Sequence, residues 1–348
     1  MLVLEGYIRG ARIESSLNTD VDPEVGRIRL ANAQYIFYNE GMSIGEFNEY
    51  GYIGPAYPPS KPANTVRIAL LGDSYTEGLY MAEERHFRSL LENALREKYQ
   101  DKTIQILNFG RSGFDLSDMY AYEENFVSQF NPDLVLYLIN PFDFLQRNTD
   151  PLVPYWYLEN DSLKLNTKFK QGSDLKTYQL VKGALQKSAL LQMLKNAYNL
   201  AKSDEAPVIV LDKLAPARED KLAHLKQNYQ MEDIAKEKVS QRIIRRLSKR
   251  SDVVIINRGK EPWPHALIQW SGVDSAQFID MGPLFVRLRD NGHQTRYWKA
   301  TNQTGHWNVK TQGYVSTFLS ARLDTIIRKK QKFLTNRRET SFKSTATN

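Results

Sequence analysis

Three short blocks of this chain carry residue types that could do chemistry. In Gly72-Asp73-Ser74-Tyr75-Thr76 a serine follows directly on an apolar run at 66–71. If that run is a strand, Ser74 projects from the carboxyl edge of a sheet, where ligands of open α/β sheets bind. In Asn108-Phe109-Gly110-Arg111-Ser112-Gly113, two glycines allow the backbone to approach a ligand and present its N–H groups. Gly305-His306-Trp307-Asn308 places one of only five histidines at a loop-to-helix junction near the C-terminus. A serine hydroxyl is a poor nucleophile until a base takes its proton, and imidazole is the usual base near neutral pH. Each block taken alone also has a plainer reading: a serine capping a helix, a glycine-rich connection, a lone loop histidine.

The elements that must position these residues are legible as alternating periodicities. Apolar runs at 66–71, 104–107 and 134–139 read as buried strands. Helical spacing at 86–99 puts Phe87, Leu90, Leu91, Ala94 and Leu95 on one face, and 118–130 reads as a second helix capped by Ser117 or Asp118. Strands alternating with helices of this length imply βαβ units and a parallel sheet. From about 145 to 235 the rhythm changes. There Tyr155, Trp156 and Tyr157 lead into helical stretches such as 185–201, with a candidate strand at 207–211. Further strands follow at 253–256 and 278–280, and a last helix at 311–327. The first 65 residues are rich in Tyr, Gly, Asn and Pro and show little periodicity.

Composition bounds the function classes. The 348 residues are 41% hydrophobic and 25% charged, a globular balance. There is no cysteine, which excludes a disulfide framework, Cys-ligated zinc, an iron–sulfur cluster and a thiol nucleophile. The net charge of +7 is concentrated at 236–250 and 328–338. The first cluster reads as the wet face of an amphipathic helix, the second as the start of a flexible basic tail. No nucleic-acid motif accompanies them, no apolar run reaches membrane-spanning length, and the N-terminus shows no signal-peptide pattern. No nucleotide fingerprint, P-loop or metal-ligand cluster is visible, so neither cofactor nor metal is expected.

Together the blocks GDSYT, NFGRSG, PDLVLYLI and GHWN, in this order and spacing, resemble the SGNH (GDSL-type) hydrolases, in flavour the bacterial polysaccharide-linked members. The resemblance covers residues 64–145 and 235–328, with an N-terminal extension at 1–63, a mostly helical insertion or lid at 146–234 and the tail at 329–348. It implies a three-layer α/β/α flavodoxin-like fold. It further implies Ser74 as nucleophile, His306 as base, and the N–H groups of Ser74 and Gly113 as parts of an oxyanion hole. Such members act on esters, here an acylated carbohydrate, with Trp307, Trp298, Trp156 and Tyr155 as candidates for stacking on sugar rings. Some relatives work outside the cytoplasm.

Two positions depart from the family pattern. The triad acid of DxxH is replaced by Gln303, which can fix the histidine tautomer but cannot stabilise an imidazolium as a carboxylate does. Asp280 and Asp290 are other carboxylates in the region. The asparagine of GxND falls on Phe142, with Asp143 in the family's Asp position and Asn140 two residues early as a stand-in oxyanion donor. The expected activity is a serine-dependent esterase or acyltransferase, its product set by whether water or a sugar hydroxyl enters. The alternative is a weak or inactive member that binds glycan or a protein partner.

Overall fold

The structure, a computed structural model, describes residues 2–10, 18–37, 40–146, 150–194 and 230–345. The region before the first block holds local structure that its composition hides. Helix α1 (Leu2–Gly10) precedes two antiparallel hairpins, β1 (Thr19–Asp22) with β2 (Gly26–Arg29), and β3 (Gln34–Phe37) with β4 (Ser43–Glu46). Tyr35, Phe47 and Ile53 bury a small core beneath the second hairpin.

The central sheet is built from β5 (Thr65–Leu71), β6 (Thr103–Asn108), β7 (Leu134–Ile139) and two later strands. The helices between them are α2 (Ser74–Glu77), α3 (Phe87–Lys98) and α4 (Leu116–Asn125). Helix α4 starts earlier than its periodicity suggests. Asp115, not Ser117 or Asp118, is the N-cap, and it forms a capping box with Asp118, which satisfies two orphan N–H groups at once.

The segment after β7 opens with strands rather than helices. Tyr155-Trp156-Tyr157 lies in β8 (Tyr155–Glu159), paired with β9 (Ser162–Asn166). Its exposed–buried–exposed alternation is the two-residue period of a strand, and Asn160 and Asp161 both adopt positive φ, as a two-residue hairpin turn requires. Helix α5 (Ser173–Lys187) follows and stops at Ser188, so the helix expected over 185–201 is interrupted there. The strand expected at 207–211 lies outside the described residues.

The chain then returns to the sheet. Helices α6 (Met231–Lys236) and α7 (Lys238–Leu247) lead into β10 (Val253–Asn257), and α8 (His265–Ser271) into β11 (Phe278–Asp280). Helix α9 (Gly282–Asp290), a short pair β12 (Tyr297–Trp298) with β13 (Gln303–Thr304), and α10 (Val309–Thr345) complete the fold. Helix α10 does not end near 327, and the basic segment expected as a tail continues it. That stretch is rich in helix-compatible Lys and Arg and contains neither Gly nor Pro. Among the described residues no helix is long and apolar enough to cross a membrane.

All neighbours in the sheet are parallel, in the order β11-β10-β7-β5-β6. Renumbered within the sheet this is 2-1-3-4-5, the flavodoxin-like order. Strand residues alternate between two cores. Ala69, Leu71, Val135, Tyr137 and Ile255 face α4, α7 and α8, while Ile68, Leu70, Leu134, Leu136 and Ile256 face α3, α9 and α10. The result is a three-layer α/β/α arrangement. Strand order reverses between β5 and β7, so the loops after them flank the crevice where ligands of such sheets bind.

Candidate active site

The loop leaving β5 at this crevice is short and tightly specified. Asp73 is the N-cap of α2, and its carboxylate accepts the Tyr75 N–H at 3.0 Å. Ser74 is therefore the first residue of the helix, where the backbone N–H has no partner within the helix. Arg258, just after β10, bonds the other oxygen of Asp73, lies 3.7 Å from Asp143, and sits over the Tyr75 ring at 4.5 Å. One guanidinium thus ties together the loops after β5, β7 and β10.

His306 reaches Ser74 from the far side of the chain. Its Nε2 lies 2.7 Å from Ser74 Oγ. The loop is set by Asn308, whose Oδ1 accepts the Thr311 N–H at the start of α10 and whose Nδ2 donates to the carbonyls of Gln294 and Tyr297. Trp298 Nε1 donates to the His306 carbonyl at 3.0 Å. The imidazole is stacked on Tyr80 (4.5 Å between ring centroids, 15° between planes) and meets the Tyr75 ring at 4.6 Å. Burial pushes both phenols above their ordinary range, so both rings flank the histidine as neutral groups.

The group behind the histidine is Glu40. His306 Nδ1 lies 2.9 and 3.0 Å from the two oxygens of the Glu40 carboxylate, and the His306 N–H donates to Oε2 at 2.7 Å. Gln303 does not orient the ring. Its Oε1 instead accepts the Glu40 N–H at 2.8 Å, and Thr301 Oγ1 donates to the Glu40 carbonyl. The amide thus holds the main chain of the acid. Gln303, expected beside the His306 ring, bonds the Glu40 main chain instead, and the carboxylate facing Nδ1 is that of Glu40. Asp280 is occupied with Asn257, Trp263 and Gly282, and Asp290 lies near Arg289.

Two backbone details show how closely Glu40 is fitted. Glu40 adopts φ +39, a region that costs a non-glycine residue on the order of 1–3 kcal/mol, and the bonds from Gln303 and Thr301 hold it there. Gly305 lies so close that a Cβ at its position would sit 2.1 Å from the Glu40 carboxyl carbon. The glycine of the GHWN block therefore makes room for the acid.

The remaining residues singled out in the sequence fall around this line. Gly113 follows β6 at φ +87, and a Cβ there would meet nothing within 4 Å. It borders a cavity of about 380 Å³ whose wall includes Arg27, Arg29, Arg111, Phe114 and Asp150. Asn140 directly follows β7 and caps the turn Pro141–Phe144: its Oδ1 accepts the Phe142 N–H at 3.0 Å while Asp143 accepts the Asn140 N–H. Trp307, Trp298 and Trp156 are buried, so their faces are not open to a sugar. Tyr155 (44% exposed) and its strand neighbour Tyr157 (37%) present aromatic surface instead.

A second histidine, this one buried, supports the Ser74 turn. His86 is the N-cap of α3. Its Nδ1 accepts the Arg88 N–H at 3.4 Å and its Nε2 faces the Tyr75 carbonyl at 3.1 Å, which the neutral Nε2–H tautomer satisfies together. Burial, against the Tyr75 bond and aided by nearby Arg88, lowers its pKa to about 3. The unfolded chain takes up this proton near pH ~6.5 whereas the folded one does not until about pH 3. The stabilisation is thus complete above about pH 6.5 and is lost progressively as pH falls, approaching about 1.4 kcal/mol per pH unit. Thermal melts are expected to show a declining Tm between about pH 6.5 and 5 that flattens in His86→Asn, and a slope unchanged by that substitution would contradict it.

No family model matches the chain, and no curated protein matches it. Solved structures to which it is similar include LAE5, an α/β hydrolase enzyme from the metagenome of Lake Arreo, Spain. That likeness has 12% identity and a TM-score of 0.39, over 76% of this chain and 97% of that one. The acetylxylan esterase Axe2 from Geobacillus stearothermophilus gives 12% and 0.38, over 74% and 95%. A two-domain esterase (CEX) active on acetylated mannans gives 10% and 0.38, over 75% of this chain and 50% of that one. These neighbours are esterases or α/β hydrolases. The likeness is distant, and the architecture rests on the strand order and layers described above.

Proposed function

We propose that the chain is a serine-dependent acyl-ester hydrolase or acyltransferase of the SGNH type, acting on an O-acetylated carbohydrate. The observation that carries this reading is the unbroken line Ser74 Oγ–His306–Glu40 at hydrogen-bond distances. Ser74 Oγ attacks the ester carbonyl and its proton passes to His306 Nε2. Glu40 stabilises the resulting imidazolium and keeps Nδ1 protonated. The Ser74 and Gly113 N–H groups, with Asn140 Nδ2, receive the negative charge on the tetrahedral oxygen. Collapse expels the sugar alkoxide, which takes the proton back from His306 and leaves an acetyl-Ser74 ester. Water or a second sugar hydroxyl, deprotonated by His306, then attacks that ester and frees the serine.

The departures at Gln303 and Phe142 are the grounds for a non-catalytic, glycan- or partner-binding reading; Glu40 behind His306 answers the first of them and supports the catalytic one. The carbohydrate part of the proposal is supported by the resemblance of the four sequence blocks and by the exposed Tyr155–Tyr157 face. The test is acetate release from acetylated xylo- and manno-oligosaccharides, alongside p-nitrophenyl acetate turnover. Release from an oligosaccharide with a higher kcat/KM than the aryl ester is expected. Turnover of the aryl ester alone would contradict the carbohydrate assignment, and turnover of neither would contradict the enzyme.

A further inference from the structure

A second carboxylate, Glu77, belongs to the same short helix as Ser74, and its partners are Arg29, Arg111 and Ser112. It ends α2, three residues after the nucleophile, and is buried. Its Oε2 accepts the Ser112 N–H at 2.9 Å and the Ser112 hydroxyl. Arg29 grips the same carboxylate with both prongs, Nε to Oε1 at 2.7 Å and Nη2 to Oε2 at 3.0 Å. Arg111 lies 3.8 Å from Oε1, and Asn108 Nδ2 donates to the Glu77 carbonyl at 3.3 Å. One side chain therefore joins three pieces of chain: the helical turn that starts at Ser74, the loop that ends at Gly113, and strand β2.

Resting on the reading above, we infer that Glu77 is the positioning residue of the oxyanion hole, fixing the Ser112–Gly113 peptide relative to Ser74 through Ser112 and itself held by Arg29. The two backbone donors assigned to the tetrahedral oxygen, at Ser74 and Gly113, come from different loops. The main chain joins the two loops at their base, with the Arg111 N–H donating to the Gly72 carbonyl at 3.0 Å, whereas at the tip beside Gly113 the Ser112 N–H is bonded to the Glu77 side chain. Donors act on a developing oxyanion only if they are already in place, since reorganising them cancels their effect. A carboxylate that spans both loops and accepts a main-chain N–H adjacent to Gly113 supplies that registry. Burial alone would raise the Glu77 carboxyl, but Arg29, Arg111 and Ser112 outweigh it and hold the group below the usual range, so the anion persists at neutral pH.

The experiment compares wild type, Glu77→Gln and Ser112→Ala in p-nitrophenyl acetate turnover and in inhibition by phenylboronic acid, whose tetrahedral serine adduct needs the oxyanion hole. Glu77→Gln is expected to lower kcat by about 10²-fold with KM within about threefold, the range for a displaced oxyanion donor, and to weaken the boronate by a similar factor. Ser112→Ala keeps the main-chain bond and is expected to lose about tenfold in both. A merely structural role would lower Tm without moving kcat and boronate affinity together. If Glu77→Gln does not fold, because Arg29 is left buried without its counter-ion, Arg29→Lys and Ser112→Ala decide by the same paired readout. Folded variants with kcat and boronate affinity within about twofold of wild type, or with only one of the two reduced, would overturn the inference. A folded wild type inert toward both the ester and the boronate would overturn the esterase reading on which it rests, so the two failures are distinguishable.

Discussion

Glu40→Gln is expected to lower kcat for ester turnover by about 10⁴, the cost of replacing a triad carboxylate by its amide, with little change in KM. The carboxylate accepts from both the His306 ring and the His306 main chain, and both oxygens lie within 3.0 Å of Nδ1. An amide of the same size can present its NH₂ to Nδ1, which favours the wrong tautomer, and it brings no charge to balance the imidazolium. Gln303→Ala is expected to cost far less, about tenfold or below, because Gln303 contributes one neutral bond to the Glu40 main chain. Steady-state kinetics of the two variants side by side separate the roles. A larger loss in Gln303→Ala than in Glu40→Gln would reverse the assignment.

The second large effect is at the reacting pair. Ser74→Ala and His306→Ala are each expected to lower kcat by about 10⁶, and the double variant by no more than either alone, since nucleophile and base act as a unit. Both side chains are only partly buried, so each truncation leaves the fold in place and circular dichroism should match wild type. The residual rate should reflect the oxyanion hole and binding alone. Additive losses in the double variant would show that the two groups do not share one proton transfer, despite the 2.7 Å separation.

How far the sequence discloses this site depends on whether a residue's role is written locally. The strand ending before Ser74 and the helix following His306 both carry strong apolar periodicity, so their junctions, and the residues on them, can be located in advance. Asn308 and Asp73 are ordinary capping residues whose type matches their task. Glu40 has no such mark. It lies in the aperiodic Tyr-, Gly- and Asn-rich N-terminal segment and meets His306 across 266 positions. The only hint was negative: a glutamine at the usual acid position implies that a carboxylate, if there is one, comes from elsewhere. Gln303 stands where the resemblance expects a group orienting His306, but the bond it makes is to the Glu40 main chain, which only the fold discloses. Arg29 and Arg258 are silent for the same reason, because their carboxylate partners are brought to them by tertiary structure. The β8–β9 hairpin is a different case. Its signals are local, the alternation Tyr-Trp-Tyr and an Asn160-Asp161 turn, but they are short beside the longer helical spacing of the segment that follows.

Covalent labelling tests the central claim most directly. Intact-mass analysis of wild type, Ser74→Ala and Glu40→Gln after exposure to a fluorophosphonate, followed by peptide mapping, reports which atom is nucleophilic and whether Glu40 makes it so. The account predicts a single adduct on the peptide containing Ser74, formed far more slowly in Glu40→Gln and absent in Ser74→Ala. An unlabelled folded wild type, or an adduct that survives in Ser74→Ala, would contradict it.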